Sequence, residues 1–171
     1  MVAGNWEDKL AIRETLERYM RYNDDGALDR LVGLFAEDAV LQVMGRVLRG
    51  HQQIREFLGG GGVFVDGKPR WTDPGQLLLQ PRSAHLSSNP VIDVDGGTAT
   101  AETDFTVLQR DDDGRARVAL IGRYRDRLRK NDDGQWVFVE RTGVSLARPG
   151  EAGTDSEWQR ALSRTGETVD T

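Results

Sequence analysis

The N-terminal part of the chain places hydrophobic residues at the spacing of α-helices. One face of the first predicted helix consists of Ile12, Leu16, Tyr19 and Asn23. It belongs to a segment rich in Glu and Arg that stops at the turn formers of residues 23–26. A second helix is predicted to begin near Ala27, with a buried side of Leu28, Leu31, Leu34 and Phe35. A third helix is predicted after Gly50, and it buries Ile54, Phe57 and Leu58.

The rest of the pattern is typical of β-strands. Residues Ala39 to Met44 are predicted to form a short strand between the second and third helices. From Ser83 onward the hydrophobic period changes to 2, and turn signals appear at residues 95–97, 111–114 and 131–134. Four strands joined by hairpins make an antiparallel meander. Helices followed by such a sheet indicate an α+β fold in which the helices cover one face of a curved sheet.

Two segments fit neither period. Residues Leu58 to Pro81 are irregular and contain Gly59 to Gly62 and Trp71, and both a pocket lid and a surface loop remain open there. After Ala147 the sequence is polar and begins with turn formers. The chain is therefore interpreted as one domain at residues 1–147, followed by a polar C-terminal tail at residues 148–171.

Composition narrows the classes of partner. The 171 residues carry a formal net charge of −5, which argues against nucleic acid and an anionic membrane as partners. The one dense basic run, Arg123 to Lys130, is interpreted as one solvated face of a strand. With no cysteine and two histidines, disulfides are excluded and no metal is expected. No apolar stretch has the length of a signal-peptide core or a membrane span, so cytoplasmic residence is expected.

The two histidines are the groups that titrate near neutral pH. His51 follows Gly50, and it is interpreted as a solvated residue of a first helical turn. His85 lies in a predicted strand, where period 2 places it on one face with Ser87 and Asn89. Periodicity alone favours a solvated sheet face, and the alternative is a polar stripe that lines a cavity beneath the helices.

Two residues of the first helix are candidate partners of His85. Asp24 could hydrogen-bond one ring nitrogen and fix its tautomer, although Asp is also an ordinary residue at a helix end. Tyr19 lies on the buried face and could donate to a developing oxyanion, although most helical tyrosines are core residues. The candidate substrate-binding residues are Asn23, Ser87, Asn89, Asp104, Tyr124 and Trp71, and Asp126 is a further pocket candidate.

Three passages resemble SnoaL-like proteins of the NTF2-like superfamily. They are RYMRYNDDGALDRLVGLFAEDAVLQVMGRVLRGHQQIREFL, then RSAHLSSNPVIDVDGGTATAETDF, and finally GRYRDRLRKNDDGQWVFVER. The resemblance covers residues 7 to about 147 and rests on the order and spacing of the motifs. It implies a cone of three helices packed on a curved antiparallel sheet, in a homo-oligomer such as a dimer or trimer. The superfamily includes dehydratases, cyclases, isomerases, an epoxide hydrolase and non-catalytic proteins.

The resemblance also carries site residues to this sequence. The Asp and His of scytalone dehydratase and bile-acid dehydratase fall on Asp24 and His85, and a Tyr of the bile-acid enzyme falls on Tyr19. Scytalone dehydratase has a Tyr where this chain has Asn23, and a second His near Asp104 that this chain lacks. The Tyr of ketosteroid isomerase also falls on Tyr19, but its proton-shuttling Asp falls near Val43.

The sequence supports three functional hypotheses. The first is a cofactor-independent dehydratase, cyclase or isomerase that uses His85, Asp24 and Tyr19 on a small carbonyl-bearing, polyketide- or steroid-like substrate. The second is a non-catalytic binding or assembly domain, in which Asp24 and His85 lie out of hydrogen-bond reach or side chains fill the cavity. The third is an epoxide hydrolase, for which Asp104, Arg123 and Arg125 supply the residue types.

Overall fold

In the computed structural model, helices lie against one face of a curved six-stranded sheet. The structure describes residues 5–60, 64–65, 68–69, 83–110 and 113–146. The helices are α1 (Trp6–Asp24), α2 (Leu28–Val32) and α3 (Gly50–Gly60). The strands are β1 (Phe35–Val43), β2 (Arg46–Arg49), β3 (Phe64–Val65), β4 (Lys68–Pro69), β5 (Ser83–Asp95), β6 (Thr98–Arg110), β7 (Ala116–Lys130) and β8 (Trp136–Ser145). The predicted α+β class is confirmed.

The large sheet has the strand order β2-β1-β8-β7-β6-β5. Strands β5 to β8 form the predicted antiparallel meander. Strand β1 pairs parallel with β8, at the β8 edge of this meander, and β2 pairs antiparallel with β1. The short strands β3 and β4 pair only with each other among the described residues.

Helix α1 runs antiparallel to β5 along most of its length. Near its start, the Asn5 side chain donates a hydrogen bond to the Val94 carbonyl at 3.1 Å. At its end, Asp24 bonds to His85, near the start of β5. The buried face of the helix consists of Ile12, Thr15, Leu16, Tyr19 and Met20. Burial of each large apolar side chain contributes about 1.5–3 kcal/mol, so this face fixes where the last turn of α1 meets the sheet.

The region between α1 and α3 differs from its prediction. The second helix ends at Val32, and Phe35 begins β1 instead of continuing the helical face. The carbonyl of Leu34 accepts a hydrogen bond from the backbone N–H of Phe138 at 2.9 Å, because the chain has already joined β8 there. Strand β2 was not predicted, since the two-residue turn before it is Met44-Gly45 and not one of the usual turn pairs. Both turn residues have positive φ, 51° and 72°, as a tight hairpin requires.

Strand β7 separates its side chains strictly between the two faces. Gly122, Tyr124, Asp126 and Leu128 are buried toward the helices. The alternate arginines lie on the outer face and form ion pairs: Arg123–Asp104 at 2.6 Å, Arg125–Glu102 at 3.1 Å, Arg127–Glu140 at 3.3 Å and Arg129–Asp38 at 3.0 Å. The interpretation of the basic run as one outward face holds for these arginines, whereas the positions between them belong to the core.

A β-bulge divides β5 into two halves. The pairing with β6 shifts between Ser88 and Val91, so that two residues of β5 lie opposite one residue of β6. Before the bulge, the odd-numbered residues of β5 share a face with the buried side chains of β6. After it, the even-numbered residues Ile92 and Val94 do so.

Two predictions fall largely outside the described residues. Of the predicted irregular segment Leu58 to Pro81, α3 occupies the beginning through Gly60, and β3 and β4 form a short hairpin within it. The predicted lid, Trp71 and the tail at residues 148–171 lie outside the described residues. Within the described residues, no helix is both long and apolar enough to cross a membrane.

Candidate active site

The end of α1 and the beginning of β5 meet at a paired carboxylate and imidazole. Asp24 Oδ1 lies 2.6 Å from His85 Nδ1, and Asp24 Oδ2 accepts a hydrogen bond from the His85 backbone N–H at 2.9 Å. The two side chains are 18% and 19% exposed, so the pair is mostly shielded from solvent. Because the carboxylate accepts two bonds from one residue, it holds both the backbone and the ring of His85 in place.

This geometry sets the chemical state of the ring. An ionised carboxylate only accepts hydrogen bonds, so the neutral imidazole beside it carries its proton on Nδ1. The other nitrogen, Nε2, then presents a lone pair, and it has no hydrogen-bond partner among the described residues. The arrangement can take a proton at Nε2 and stabilise the resulting imidazolium.

His85 faces the helices. It pairs with Val107 and Ser87 pairs with Phe105, and these two β6 residues are both buried core residues. The other face of the same strand carries Leu86, which is 51% exposed. Periodicity alone favoured a solvated face for His85, and the structure instead places it on the covered face with its apolar neighbour turned outward.

Tyr19 lies deeper along α1, in an aromatic cluster. Its ring makes edge contacts with Phe35, Tyr124 and Phe138 at centroid distances of 5.8–5.9 Å. Burial raises the pKa of Tyr19, and the Arg141 cation opposes that rise. The phenol is therefore a neutral hydroxyl over the ordinary pH range, able to donate a hydrogen bond.

Tyr124 lies beside Tyr19, with the two ring centroids 5.8 Å apart. Burial raises the pKa of Tyr124, so this phenol is neutral as well and can donate a hydrogen bond. The Tyr124 ring also stacks on Phe105 at a centroid distance of 4.5 Å, linking this pair to the wall beside Ser87.

A buried ion pair lies behind the two tyrosines. Arg141 of β8 is the direct cross-strand partner of Asp126 of β7, and neither side chain has any exposed surface. The guanidinium carbon sits 3.9 Å from the ring centroid of Tyr19 and 3.8 Å from that of Tyr124. Burial raises the pKa of Asp126 to about 7, against the opposing effect of the Arg141 cation.

Two other candidate residues lie away from His85. Asn89 occupies the bulge with a φ of 51°, and its side chain reaches the Asp104 carboxylate at 3.5 Å. Asp104 also accepts a hydrogen bond from Arg123 at 2.6 Å on the outer face, and this bond lowers the pKa of Asp104. The predicted alternation that put Asn89 beside His85 is wrong, because the bulge interrupts it.

Asn23 is half-buried in the last turn of α1, next to Asp24. His51 differs from its interpretation as a solvated residue, since its Nε2 lies 2.8 Å from the Phe35 carbonyl oxygen, where it ties α3 to the start of β1. Within the described residues, no group of three or more acidic, histidine or cysteine side chains could hold a metal ion.

Sequence reasoning missed Arg141 and the glycines that make room for the aromatic rings. A Cβ atom at Gly122 would lie 2.3 Å from a ring carbon of Phe105, and one at Gly143 would lie 2.9 Å from the Tyr124 ring. Gly143 follows Arg141 by two residues on the same inward face of β8. Hydropathy gives no signal for Arg141, and the only sequence mark of this site is a glycine, Gly143, inside the last strand.

Comparison with known proteins assigns the fold. Residues 5–142 match the SnoaL-like domain family. An Asp-to-Asn variant of Rv3472 from Mycobacterium tuberculosis, a protein of unknown function, gives a TM-score of 0.70 at 23% identity, covering 95% of this chain and 88% of its own. An NTF2-like protein with a cystatin-like fold from Novosphingobium aromaticivorans gives 0.68 at 25% identity, covering 92% and 90%.

A further protein of Novosphingobium aromaticivorans, for which scytalone dehydratase activity has been suggested, gives a TM-score of 0.66 at 24% identity, covering 86% of this chain and 89% of its own. No functionally curated protein matches the sequence significantly. The predicted NTF2-like fold and the resemblance to SnoaL-like proteins are confirmed.

Proposed function

Because this chain belongs to the SnoaL-like family, which includes dehydratases and polyketide cyclases, we propose that it is a cofactor-independent acid/base enzyme. Its substrate is a small, largely apolar molecule with a ketone, of polyketide or steroid-like type. The reaction is the loss of water from a hydroxyketone, with isomerisation or ring closure as the alternatives that share its first step.

The observation that carries this proposal is the pair of hydrogen bonds that Asp24 accepts from His85. It holds the ring at 2.6 Å through Nδ1 and holds its backbone at 2.9 Å, and Nε2 is left as a base on the helix-covered face. His51, by contrast, has its Nε2 beside the Phe35 backbone carbonyl, so that nitrogen is already used in holding α3 to β1. The Asp–His pair is the arrangement by which enzymes fix a tautomer and support an imidazolium.

In the proposed reaction, His85 Nε2 removes the proton from the carbon alpha to the ketone. The electron pair of that C–H bond moves into the carbonyl and forms an enolate. The enolate then re-forms the carbonyl and expels the hydroxyl group from the beta carbon, while His85 returns its proton to the departing oxygen. The products are an unsaturated ketone and water, and His85 ends as a neutral base.

Tyr19 is the proposed donor to the enolate oxygen. A buried neutral phenol is a strong donor to a developing negative charge. The guanidinium carbon of Arg141 lies 3.9 Å from the Tyr19 ring centroid, and its positive charge lowers the pKa of Tyr19 against the effect of burial, which makes the hydroxyl a better donor. Tyr124 is a second buried phenol beside it.

The two competing hypotheses receive less support. A binding domain that had lost its chemistry was expected to keep Asp24 and His85 out of reach, and their 2.6 Å contact argues against that. Epoxide hydrolysis needs an acid–arginine network around a water in the pocket. The Asp104–Arg123 pair has the right residue types, but it lies on the outer face of the sheet, opposite His85.

The proposal is tested by proton exchange, which reports the first step whatever the final product. Wild-type protein in deuterium oxide is incubated with a panel of fused-ring ketones and β-hydroxyketones, and NMR follows deuterium incorporation at the alpha carbon. We expect exchange with at least one ring system, loss of exchange in His85→Gln, and retention in His51→Gln. The second variant is the matched control because it removes the other imidazole while Gln can still donate to the Phe35 carbonyl.

Mass spectrometry of the same reactions identifies dehydration, which removes one water, whereas isomerisation and ring closure both conserve mass. NMR of the product separates those two, since only ring closure forms a new carbon–carbon bond. Equal rates of exchange in wild type and His85→Gln would show that His85 is not the base. No exchange with any ketone would favour the binding domain.

A further inference from the structure

A group of buried polar atoms behind the tyrosine pair has no hydrogen-bond partner among the described residues. The six atoms are Thr103 Oγ1, both carboxylate oxygens of Asp126, and the three guanidinium nitrogens of Arg141. They share the inner face of three adjacent strands, β6, β7 and β8. This group lies outside the Asp24–His85 pair, and of its members only Arg141 bears on the proposed reaction, through its charge beside Tyr19.

The aromatic rings around Arg141 do not satisfy its N–H groups. Tyr19 and Tyr124 lie at 3.9 and 3.8 Å from the guanidinium carbon, and Phe138 at 4.5 Å. Such cation–π contacts stabilise the positive charge through the flat faces of the guanidinium. An aromatic ring is no substitute for an oxygen acceptor, so the five N–H groups of the guanidinium still need hydrogen-bond partners.

The neighbouring carboxylate cannot supply all of those acceptors. Arg141 Nε lies 3.6 Å from Asp126 Oδ1, beyond hydrogen-bond length. Even if the two side chains closed into an ideal two-bond pair, the guanidinium would use two of its five N–H groups. Three donors and the Thr103 hydroxyl would remain, and each unsatisfied buried group costs about 1–3 kcal/mol. That total approaches the whole stability of an average domain, about 5–15 kcal/mol.

We propose that Arg141, Asp126 and Thr103 form an internal water-binding site at the inner face of the sheet. Ordered water accepts from the guanidinium, donates to the carboxylate and bridges to the threonine hydroxyl. Water suits the site because it both donates and accepts, and buried waters typically make about three such bonds. When Asp126 is ionised its charge balances that of Arg141, so the ligand is uncharged.

The site has a consequence for the tyrosines. Both rings rest on the guanidinium, so the water that fixes Arg141 also fixes the plane in which the Tyr19 and Tyr124 hydroxyls lie. The water site stands independently of the proposed enzyme activity, since it follows from buried groups that need partners whether or not His85 acts as a base.

The primary test is a crystal structure of the wild-type protein at a resolution that shows ordered water, with a parallel crystal soaked in bromide. We expect water density within hydrogen-bond distance of Arg141 and Asp126, and no anomalous bromide signal there. Bromide at the guanidinium would identify an anion site and overturn the water assignment. Direct pairing of Arg141 and Asp126 with no water density around them would overturn it as well.

Oxygen-17 magnetic relaxation dispersion tests the same site in solution by counting long-lived internal waters. At the usual density of one buried water per about 27 residues, the chain holds about six, so each water lost lowers the signal by about one sixth. The test variant is Arg141→Met with Asp126→Leu, which replaces a buried pair by apolar groups. The matched control is Arg125→Met with Glu102→Leu, an exposed pair on the outer face.

We expect a lower dispersion amplitude in the first double variant and the wild-type amplitude in the second. An unchanged amplitude in a folded first variant would contradict the proposal. Should that variant fail to fold, two measurements still test the proposal: the electron density of the wild-type crystal, and the dispersion amplitude of Thr103→Val, which removes one hydroxyl at constant shape. We expect water density in the first and a lower amplitude in the second.

Discussion

Replacing Asp24 by Asn is the sharpest perturbation of the site, because it changes one atom and one charge. The carboxylate accepts two hydrogen bonds from His85, at 2.6 and 2.9 Å, and an amide has a single oxygen acceptor. If Asn keeps the backbone N–H, its NH₂ group faces Nδ1 and forces the ring into the tautomer with the proton on Nε2. The base is then blocked at the atom that must accept the substrate proton.

The structure gives the expected magnitudes. Both side chains are less than one fifth exposed, so loss of the charge-assisted bond destabilises the fold by about 1.5–3 kcal/mol. The equivalent Asp→Asn change in the serine-protease triad lowers kcat by roughly 10⁴ through the wrong tautomer, and we expect a loss of that order in alpha-proton exchange. Asp25→Asn is the matched control, since it removes an exposed carboxylate one residue further along.

Three measurements check this. Nitrogen-15 NMR of the imidazoles reports which nitrogen carries the proton, urea unfolding reports the free energy of unfolding, and deuterium incorporation reports the rate. A variant that keeps the Nδ1–H tautomer and exchanges at the rate of Asp25→Asn would refute the reasoning that Asp24 controls His85.

Three further predictions concern the tyrosine pair and the sheet. Tyr19→Phe keeps the ring contacts but removes the donor, so kcat should fall roughly 10²–10³-fold with little change in urea unfolding, and an unchanged kcat would exclude Tyr19 as the oxyanion donor. Burial raises the pKa of Asp126 from 3.8 to about 7, so the protonated carboxyl stabilises the fold below pH 3.8, and this contribution is lost as pH rises through 7. Urea titrations should show the free energy of unfolding of wild type falling by up to about 4 kcal/mol relative to Asp126→Asn across that window. Parallel curves for the two proteins would contradict this. Gly122→Ala would bring a Cβ to 2.3 Å from the Phe105 ring and should lower the free energy of unfolding by about 1–3 kcal/mol. Gly97→Ala, where a Cβ would meet nothing within 4 Å, should leave the urea midpoint nearly unchanged. Equal losses in the two variants would be incompatible with the close approach of Gly122 to Phe105.

The sequence predicted the elements whose pattern is long and regular. Helix α1 and the four meander strands have enough residues for period 3.6 or period 2 to be clear, and their turns carry Asp, Asn and Gly. The pattern failed where elements are short. Helix α2 has five residues, too few to separate a helical face from the first residue of a strand at Phe35.

The candidate site was only partly predictable for a different reason. Hydropathy puts polar residues outside, and β5 inverts this rule by turning His85 inward and leaving Leu86 half-exposed. The position of Asp24 at the end of the first helix, together with the resemblance to a family, pointed to it as the partner of His85, and periodicity did not. Arg141 could not be found at all, because an arginine with no exposed surface contradicts the assumption on which core prediction rests.

The bulge in β5 lets a single strand follow two different phases. Ahead of it, odd-numbered positions such as His85 face the helices, and beyond it even-numbered positions such as Ile92 do so. The extra residue changes the parity of the inward positions and not the direction in which they face: removing it would restore regular alternation, with His85 still opposite Val107 and Ile92 still opposite Ala101. A one-residue deletion at the bulge should therefore leave both faces in place, whereas the same deletion between His85 and the bulge would turn His85 to the outer surface.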